Sequence, residues 1–193
     1  TLADRFMRSR LSQGVEEITA LYEALDLAQA AREVYELVWS EFCDWYLEAA
    51  KPALKAGNAH TLRTLEEVLA VLLKLLHPMM PFLTSELYQA LTGKEELALE
   101  AWPEPGGRDE EAERAFEALK QAVTAVRALK AEAGLPPAQE VRVYLEGETA
   151  PVGENLEVFR FLARADLLPE RPAKALVKAM PRVTARMPLE GLL

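Results

Sequence analysis

The spacing of apolar residues over the first ninety positions is the feature that most constrains the fold. Apolar side chains recur there at intervals of three and four residues, which is typical of amphipathic helices. Turn and capping residues divide the stretch into four predicted helices, at residues 2–25, 27–54, 61–76 and 80–93. Four helices joined by short connections predict an antiparallel bundle.

Individual residues in this stretch give local predictions. Asp26 is predicted to cap the second helix, and Thr61 the third. Gly14 is a weak point in the first helix, and Pro52 is expected to kink or end the last turn of the second. His77 stands at the end of the third helix, where its ring is expected to bond the last carbonyl groups.

The second half of the chain changes character. Residues 93–108 are rich in proline and glycine and form a predicted connector, and a fifth helix follows at 109–133. "VRVYLEG" alternates apolar and polar residues, which predicts a strand, and a helix and two more strands follow. The sequence therefore predicts a mainly α protein: an antiparallel helical bundle over 1–108, then a long helix and a small mixed α/β unit over 109–193.

Composition narrows the function classes. The net charge of the 193 residues is −9, which argues against a general nucleic-acid binder but leaves room for a small local site. The apolar runs are too short to span a bilayer, and no signal peptide is visible. Gln and Asn are sparse beside Glu, Ala, Leu and Arg, which favours a thermophile. Because the chain begins with Thr1, we expect a piece of a longer protein.

The sequence contains no catalytic constellation that we recognise. Phosphate-binding loops, dinucleotide fingerprints and the nucleophile elbow are missing. Cys43, the only cysteine, would need a neighbouring base to act as a nucleophile. His77 is expected to bond carbonyls at its helix end, and His60 precedes a helix start, where we expect it to be solvated. These three residues also lack the spacing of zinc ligands, so we predict that the chain itself is non-catalytic and holds no cofactor.

The stretch "EFCDWYLEAAK" allows two interpretations. On a helix, Phe42 and Trp45 fall on one side, which is widened by Tyr35, Trp39 and Tyr46. This stripe predicts an aromatic core that contains Trp39, Phe42 and Trp45. The opposite side is a polar strip, spaced by three and four residues: Ser40, Asp44, Leu47, Glu48, Lys51 and Lys55. The strip is either an ordinary solvated face or a small binding site in which Leu47 is the apolar contact.

These residues resemble a known family. "EFCDWYLEAAK" is similar to the CDWY-E-K segment of valyl-tRNA synthetases, and "LLKLLHPMMPFLTSELYQAL" and "AWP" resemble the helix pair and tryptophan–proline of that family. "VRALKAEAGLPP" and the closing "MPLEGLL" extend the resemblance over nearly the whole chain. The sequence departs from the family at Met79, Ser85 and Tyr88, which are packing or surface changes.

The resemblance implies a fragment of a larger enzyme. The HIGH and KMSKS signatures, the editing domain and the coiled-coil arm are missing, so the chain would be the anticodon-binding bundle and the α/β unit behind it. The parent enzyme would attach valine to tRNA(Val) with ATP and Mg²⁺. We expect tRNA(Val) as the partner of a monomeric, cytoplasmic protein without membrane contact. The alternative is a helical protein-interaction or scaffold domain without RNA function.

The resemblance turns the polar strip into a predicted RNA-binding site of Asp44, Leu47, Glu48, Lys51 and Lys55. Glu48 would accept a hydrogen bond from a base, Leu47 would pack on a base, and the lysines would neutralise phosphates. A local excess of basic residues in the C-terminal unit suggests a second RNA contact at Lys174 and Lys178. The alternative there is a solvated surface that balances the acidic residues of 95–117.

Overall fold

A computed structural model describes residues 1–190, so the last three residues of the closing "MPLEGLL" lie outside the described part. The chain divides into two compact units. The helical unit contains residue 1 and residues 3–113, and the α/β unit contains residue 2 and the chain from 114 onward. The predicted fold class, mainly helical with a small mixed sheet near the C-terminal end, is confirmed.

The helical unit follows the predicted order of helices. Its elements up to residue 99 are α1 (Leu2–Glu23), α2 (Leu27–Glu36), a π-helix (Leu37–Leu47), α3 (Glu48–Lys55), α4 (Ala59–Leu76), α5 (Pro81–Thr92) and a short 3₁₀-helix (Leu97–Leu99). The backbone stays helical through both ends of the π-helix, so α2, the π-helix and α3 form one continuous rod. The second predicted helix is thus present, with a π-helix in its middle that the apolar spacing does not predict.

Two of the local predictions for the helix ends are corrected. Asn58 caps α4, because its side-chain oxygen accepts a hydrogen bond from the Thr61 N–H at 3.1 Å. The Thr61 side chain is buried elsewhere, so the prediction that it caps this helix is wrong. Pro52 does not end its helix: the Ala56 N–H still bonds the Pro52 carbonyl at 3.1 Å, and α3 continues to Lys55. The other predicted outcome, a kink at Pro52, stays a prediction. Asp26 caps α2 as predicted.

Gly14 marks a close approach between two elements. A Cβ atom at this position would lie 2.6 Å from a methyl carbon of Leu37, so no larger residue fits without displacement. α1 runs through Gly14 without interruption. The glycine that looked like a weak point is therefore the place where α1 and the π-helix touch.

The aromatic stripe is only partly buried. Phe42 and Tyr46 are in the core, at 5% and 0% exposure, as predicted. Trp39 and Tyr35 are 56% and 62% exposed, and Trp45 is half-buried. The prediction that Trp39 is core is wrong: Trp39 lies on the solvent side with Tyr35, and the two rings stack with their centroids 6.2 Å apart. Leu37 is 1% exposed, and a residue two positions further along a helix lies on the other side.

The chain from residue 110 contains one long helix and a four-stranded sheet. The elements are α6 (Glu110–Glu132), β1 (Val141–Gly147), α7 (Ala150–Glu154), α8 (Leu156–Ala163), β2 (Ala165–Leu167), β3 (Ala175–Ala179) and β4 (Val183–Pro188). The strand order is β2-β1-β4-β3, and only the β1–β2 pair is parallel. The three predicted strands are β1, β3 and β4, whereas β2 was not predicted.

A buried lysine holds the turns of the α/β unit. Lys130 is 2% exposed, and its ammonium group donates hydrogen bonds to the carbonyls of Pro137, Ala163 and Arg164 at 3.1, 2.7 and 2.8 Å. Arg164 has a positive φ of 49° and ends α8. One side chain thus ties the loop after α6 to the turn between α8 and β2.

Candidate nucleic-acid interface

The predicted binding residues lie where the π-helix passes into α3. Asp44, Lys51 and Lys55 are exposed, and Leu47 and Glu48 are half-buried beside them. The steps from Asp44 to Glu48, Lys51 and Lys55 are four, three and four residues along one continuous rod. The structure therefore places the five residues on one side of the rod. Leu47 is half-buried there and does not protrude fully into solvent.

Glu48 and Lys51 form a surface ion pair. The Lys51 ammonium group donates to Oε1 of Glu48 at 2.5 Å, and the two side chains are 46% and 42% exposed, the lysine first. A solvent-exposed pair of this kind is worth about 0–1 kcal/mol. The ion pair therefore orients the carboxylate of Glu48. A ligand that takes the place of Lys51 loses little free energy by breaking the pair.

A buried hydrogen-bond network supports the strip from below. Tyr46, directly before Leu47, donates its hydroxyl to Asp4 at 2.7 Å, and Thr61 donates to the other oxygen of Asp4 at 2.8 Å. Asp4 is 1% exposed. The network joins the starts of α1 and α4 to the end of the π-helix, so the residues of the strip project from a fixed base.

The ionisation of the network is set by burial and hydrogen bonding. Burial raises the pKa of Asp4, but the hydrogen bonds from Tyr46, Thr61 and Thr1 outweigh it and hold this pKa below its ordinary value. Burial and the contact with Asp4 raise the pKa of Tyr46. The carboxylate thus stays charged and the phenol neutral at physiological pH. The sequence predicted Tyr46 in the aromatic core and Thr61 as a helix cap, but it predicted neither Asp4 nor the hydrogen bonds that join the three residues.

Cys43 and His77 lack the surroundings that a nucleophile and its base require. Burial, and then the charge of Asp44, raise the pKa of Cys43, which disfavours the nucleophilic thiolate. Nδ1 of His77 lies 2.8 Å from the Thr84 hydroxyl, which itself donates to the Met80 carbonyl, so His77 is the donor. The prediction that His77 caps the carbonyls of its own helix is therefore corrected.

The second predicted contact lies on the edge strand of the sheet. Lys178 is exposed on β3, and Lys174 is exposed just before that strand. The neighbouring arginines each have an acidic partner: Arg171 and Arg186 share Glu146, and Arg182 shares Glu148 with another arginine. Among residues 1–190, neither Lys174 nor Lys178 forms an ion pair, so these two cations remain available.

In residues 1–190, no cluster of three or more histidine, cysteine, aspartate or glutamate side chains has the arrangement to hold a metal ion. No helix in the same part of the chain has the length and apolarity needed to cross a bilayer.

Comparison with known families decides which kind of helical unit this is. The sequence profile of the family described as "Anticodon-binding domain of tRNA ligase" matches residues 4–145. The chain belongs to this family. The match begins in α1 and ends within β1, so it contains the whole polar strip and the network below it. It supports the RNA-binding interpretation over that of a scaffold domain.

Relatives of this anticodon-binding domain are valine–tRNA ligases. The chain is 98% identical over 193 residues to the ligase of Thermus thermophilus, 46% identical over 194 residues to that of Deinococcus radiodurans and 38% identical over 197 residues to that of Thermotoga maritima. These alignments cover 100%, 99% and 98% of the chain but 22%, 21% and 23% of the relatives. The chain thus spans about a fifth of their length, and the Thermus relative fits the predicted thermophile composition.

Proposed function

We propose that this chain is the anticodon-recognition module of a valine–tRNA ligase and reads tRNA(Val) through the polar strip. The observation that carries the proposal is the placement of Glu48 at the surface, between Leu47 and two lysines, on a rod fixed from below by the Asp4 network. Anticodon bases are unstacked, and proteins read them through base-edge hydrogen bonds and apolar contacts. The strip offers both kinds of contact along one side of the rod.

Each residue of the strip has a distinct part in this recognition. A carboxylate only accepts hydrogen bonds, so Glu48 favours a base edge that carries an amino group over one that carries a keto group. Leu47 supplies a half-buried apolar surface for a base. Lys51 and Lys55 neutralise phosphates, which every sequence carries, and Asp44 borders the site. When Lys51 turns to a phosphate, its ion pair opens and frees the carboxylate of Glu48 for the base.

The test is the anticodon selectivity of a full-length ligase that contains this sequence. A wrong base opposite Glu48 should cost ~1–3 kcal/mol. Glutamine both donates and accepts, so Glu48→Gln should reduce the ratio of kcat/KM between correct and altered anticodons about tenfold. Glu36→Gln is the matched control, because Glu36 is exposed on the same rod but outside the strip. An unchanged ratio in Glu48→Gln would remove Glu48 from base recognition.

The lysines should behave differently from Glu48. Lys55→Ala should weaken the binding of both tRNAs by a similar factor, because phosphate contacts carry no sequence information. Lys51→Ala should do the same and also remove the internal partner of Glu48. A lysine variant that changes the ratio of kcat/KM between correct and altered anticodons more than Glu48→Gln does would contradict the proposal. In that case the lysine, and not Glu48, would recognise the base.

Lys174 and Lys178 form the second part of the proposed RNA contact. Their support is that they form no ion pair among the described residues, while Arg171 and Arg186 both pair with Glu146. Replacing both lysines with alanine in the full-length enzyme should lower the slope of log K against log salt by about two. Arg171→Ala is the control and should leave the slope unchanged. An unchanged slope in the double variant would assign the lysines to the solvated surface.

The proposal also covers the reaction of the full-length enzyme, of which this chain would be a part. The full ligase would activate valine with ATP and Mg²⁺, act in the cytoplasm as a monomer and load tRNA(Val). The isolated chain should show no valine-dependent ATP–pyrophosphate exchange, because its described residues provide neither a phosphate loop nor a metal cluster. Exchange by the pure chain would contradict the assignment of a recognition module.

A further inference from the structure

The end of the sheet where β1 and β2 begin has two charged residues side by side. The strands are parallel there, and Arg142 on β1 is the register partner of Asp166 on β2. Val143, the next residue on β1, is 0% exposed and faces the core, so Arg142 and Asp166 lie on the outer face of the sheet. Neighbouring strands are about 4.8 Å apart, which places both side chains within reach of one small ligand.

Both residues keep a free polar group, although they are neighbours. Arg142 is exposed, and its guanidinium group forms neither a hydrogen bond nor an ion pair with any of residues 1–190. Arg160 of α8 binds Asp166 instead, and its Nε donates to Oδ1 of Asp166 at 3.0 Å. The Leu167 N–H donates to the same oxygen at 2.8 Å. Among the described residues, Oδ2 of Asp166 therefore has no partner and is free to accept a hydrogen bond.

The charges of the two free groups decide which ligand they suit. The hydrogen bond from Arg160, and then that from the Leu167 N–H, hold the pKa of Asp166 below its ordinary value of 3.8. An ionised carboxylate only accepts hydrogen bonds, and a guanidinium group only donates them. Arg142 and Asp166 together therefore favour a ligand in which an anionic group lies beside a hydroxyl or amino donor.

A cavity at this end of the sheet gives such a ligand room. It has a volume of about 360 Å³ and is lined by Arg142 and Asp166, together with Arg160 and Glu140. A bare anion would meet two arginines but also two carboxylates, so the site does not favour free phosphate. A ligand with a donor next to its anionic group can use Arg142 and Asp166 at the same time.

An aromatic ring lies next to this site on the same face. Tyr144 is two residues beyond Arg142 on β1, so the two side chains point to the same side of the sheet, about 6.6 Å apart along the strand. The ring is half-buried and contacts no other aromatic ring within residues 1–190. RNA-binding proteins use aromatic side chains on a four-stranded sheet to stack bases, and the sheet here also has four strands. Phosphate, ribose hydroxyl and base of one nucleotide thus each find a matching side chain.

We propose that the outer face of β1 and β2 binds one nucleotide of RNA: Arg142 holds the phosphate, Asp166 accepts the ribose 2′-OH and Tyr144 stacks on the base. The 2′-OH is a donor that DNA lacks, so the site prefers RNA to DNA. The anticodon-binding family matches residues 4–145, which include Arg142 and Tyr144. The inference rests on the proposed function in taking tRNA as the source of the nucleotide. It gives the sheet a part in RNA binding that does not involve the polar strip.

The test measures the affinity of the 193-residue chain for a single-stranded uridine octamer and for its deoxyuridine counterpart by fluorescence anisotropy. The two probes differ only in the 2′-OH, and neither contains an anticodon stem-loop. The RNA should bind about tenfold more tightly than the DNA, because Asp166 gains a charge-assisted hydrogen bond only with RNA. Asp166→Ala should remove this difference, whereas Glu48→Gln on the polar strip should leave it unchanged.

Two further positions test the phosphate and base contacts. Arg142→Gln should weaken the binding of both probes by a similar factor, about tenfold, since both contain phosphates. Arg114→Gln is the control, because it removes an exposed arginine from α6 and should change either affinity less than about twofold. Tyr144→Leu should weaken both probes about tenfold, and Tyr144→Phe, which keeps the ring, should bind like the natural sequence.

The outcomes separate this inference from the proposed function of the polar strip. Equal affinities for RNA and DNA in the natural sequence, or unchanged affinities in Arg142→Gln and Tyr144→Leu, would overturn it. Displacement of the RNA probe by free valine would assign Arg142 and Asp166 to an amino acid and would also overturn it. The two Tyr144 variants keep the inference testable if Asp166→Ala, which also loses its bond with Arg160, fails to fold. In a full-length ligase, Arg142→Gln should leave the ratio of kcat/KM between anticodons unchanged, because that ratio depends on the strip.

Discussion

The two units of the molecule each bury one ionised side chain, and they satisfy it in different ways. Asp4 in the helical unit is 1% exposed and accepts hydroxyl donors from Tyr46 and Thr61. Lys130 in the α/β unit is 2% exposed and donates to three backbone carbonyls. The first network is made of side chains that could all have been apolar. The second satisfies backbone groups that exist whatever the sequence.

This difference indicates what each group does. Side-chain networks that connect several elements fix their relative positions, and the Asp4 network holds the rod that carries the polar strip. Carbonyls in a loop and after a helix must find donors, and Lys130 supplies three with one residue. Loss of the lysine should therefore cost more stability than loss of one member of the hydroxyl network.

The largest effect is expected for Lys130→Met, which keeps the volume but removes the donors. Each buried carbonyl left without a partner costs about 1–3 kcal/mol, and water can reach some of them, so we expect a loss of about 3 kcal/mol. Lys120→Met is the control, because Lys120 lies on the same helix with a longer contact of 3.9 Å to Glu117. Chemical denaturation measures both variants. A loss for Lys130→Met no larger than that of the control would invert the ranking of the two networks.

A smaller loss is expected for Tyr46→Phe, which removes one donor from the Asp4 carboxylate. Hydrogen bonds to charged groups contribute about 1.5–3 kcal/mol, and Thr61 still donates to the other oxygen. Tyr35→Phe is the matched control: this tyrosine is 62% exposed and should change stability by less than about 0.5 kcal/mol. The same denaturation experiment serves here, and similar losses for the two tyrosines would show that the buried hydroxyl contributes little.

Regular periodicity explains which parts of the fold were predictable. The longer helices and the strands β1, β3 and β4 each contain enough residues for a repeat of 3.6 or 2 to be visible, whereas α7 has only five residues and was not predicted. β2 has only three residues and depends on its register with β1, so it leaves no local pattern. Trp39 was misplaced because a run of large aromatic residues favours a core prediction, whereas the buried side of the rod is formed by Leu37, Phe42 and Tyr46.

In the candidate site, too, the local pattern was predictable and the contacts between distant residues were not. The polar strip was visible because its residues are close in sequence, and the structure keeps them on one side of the rod. The network beneath it was not visible, since Asp4 is separated from Tyr46 and Thr61 by 42 and 57 positions along the two hydrogen bonds. Asp4 is also the partner of Thr1 in a capping box, and this local role conceals its tertiary contacts in the sequence.

The smallest expected effect concerns pH and compares the two buried charges directly. The pKa of Asp4 is held below its ordinary value of 3.8, and burial, followed by the charges of Arg127 and Arg164, lowers the pKa of Lys130 from 10.5. In both cases the unfolded state binds more protons, so both groups make stability rise with pH, in two separate windows. The contribution of Asp4 is complete above about pH 5 and is lost as pH falls through its folded-state pKa, at about 1.4 kcal/mol for each unit of lowering. The contribution of Lys130 changes between its folded-state pKa and 10.5.

In denaturation series, the stability difference between the natural sequence and Asp4→Asn should therefore shrink only in acid, whereas that for Lys130→Met should change only in alkali. A difference for Asp4→Asn that stays constant down to about pH 2 would mean that the hydroxyl donors do not favour the carboxylate over the carboxylic acid.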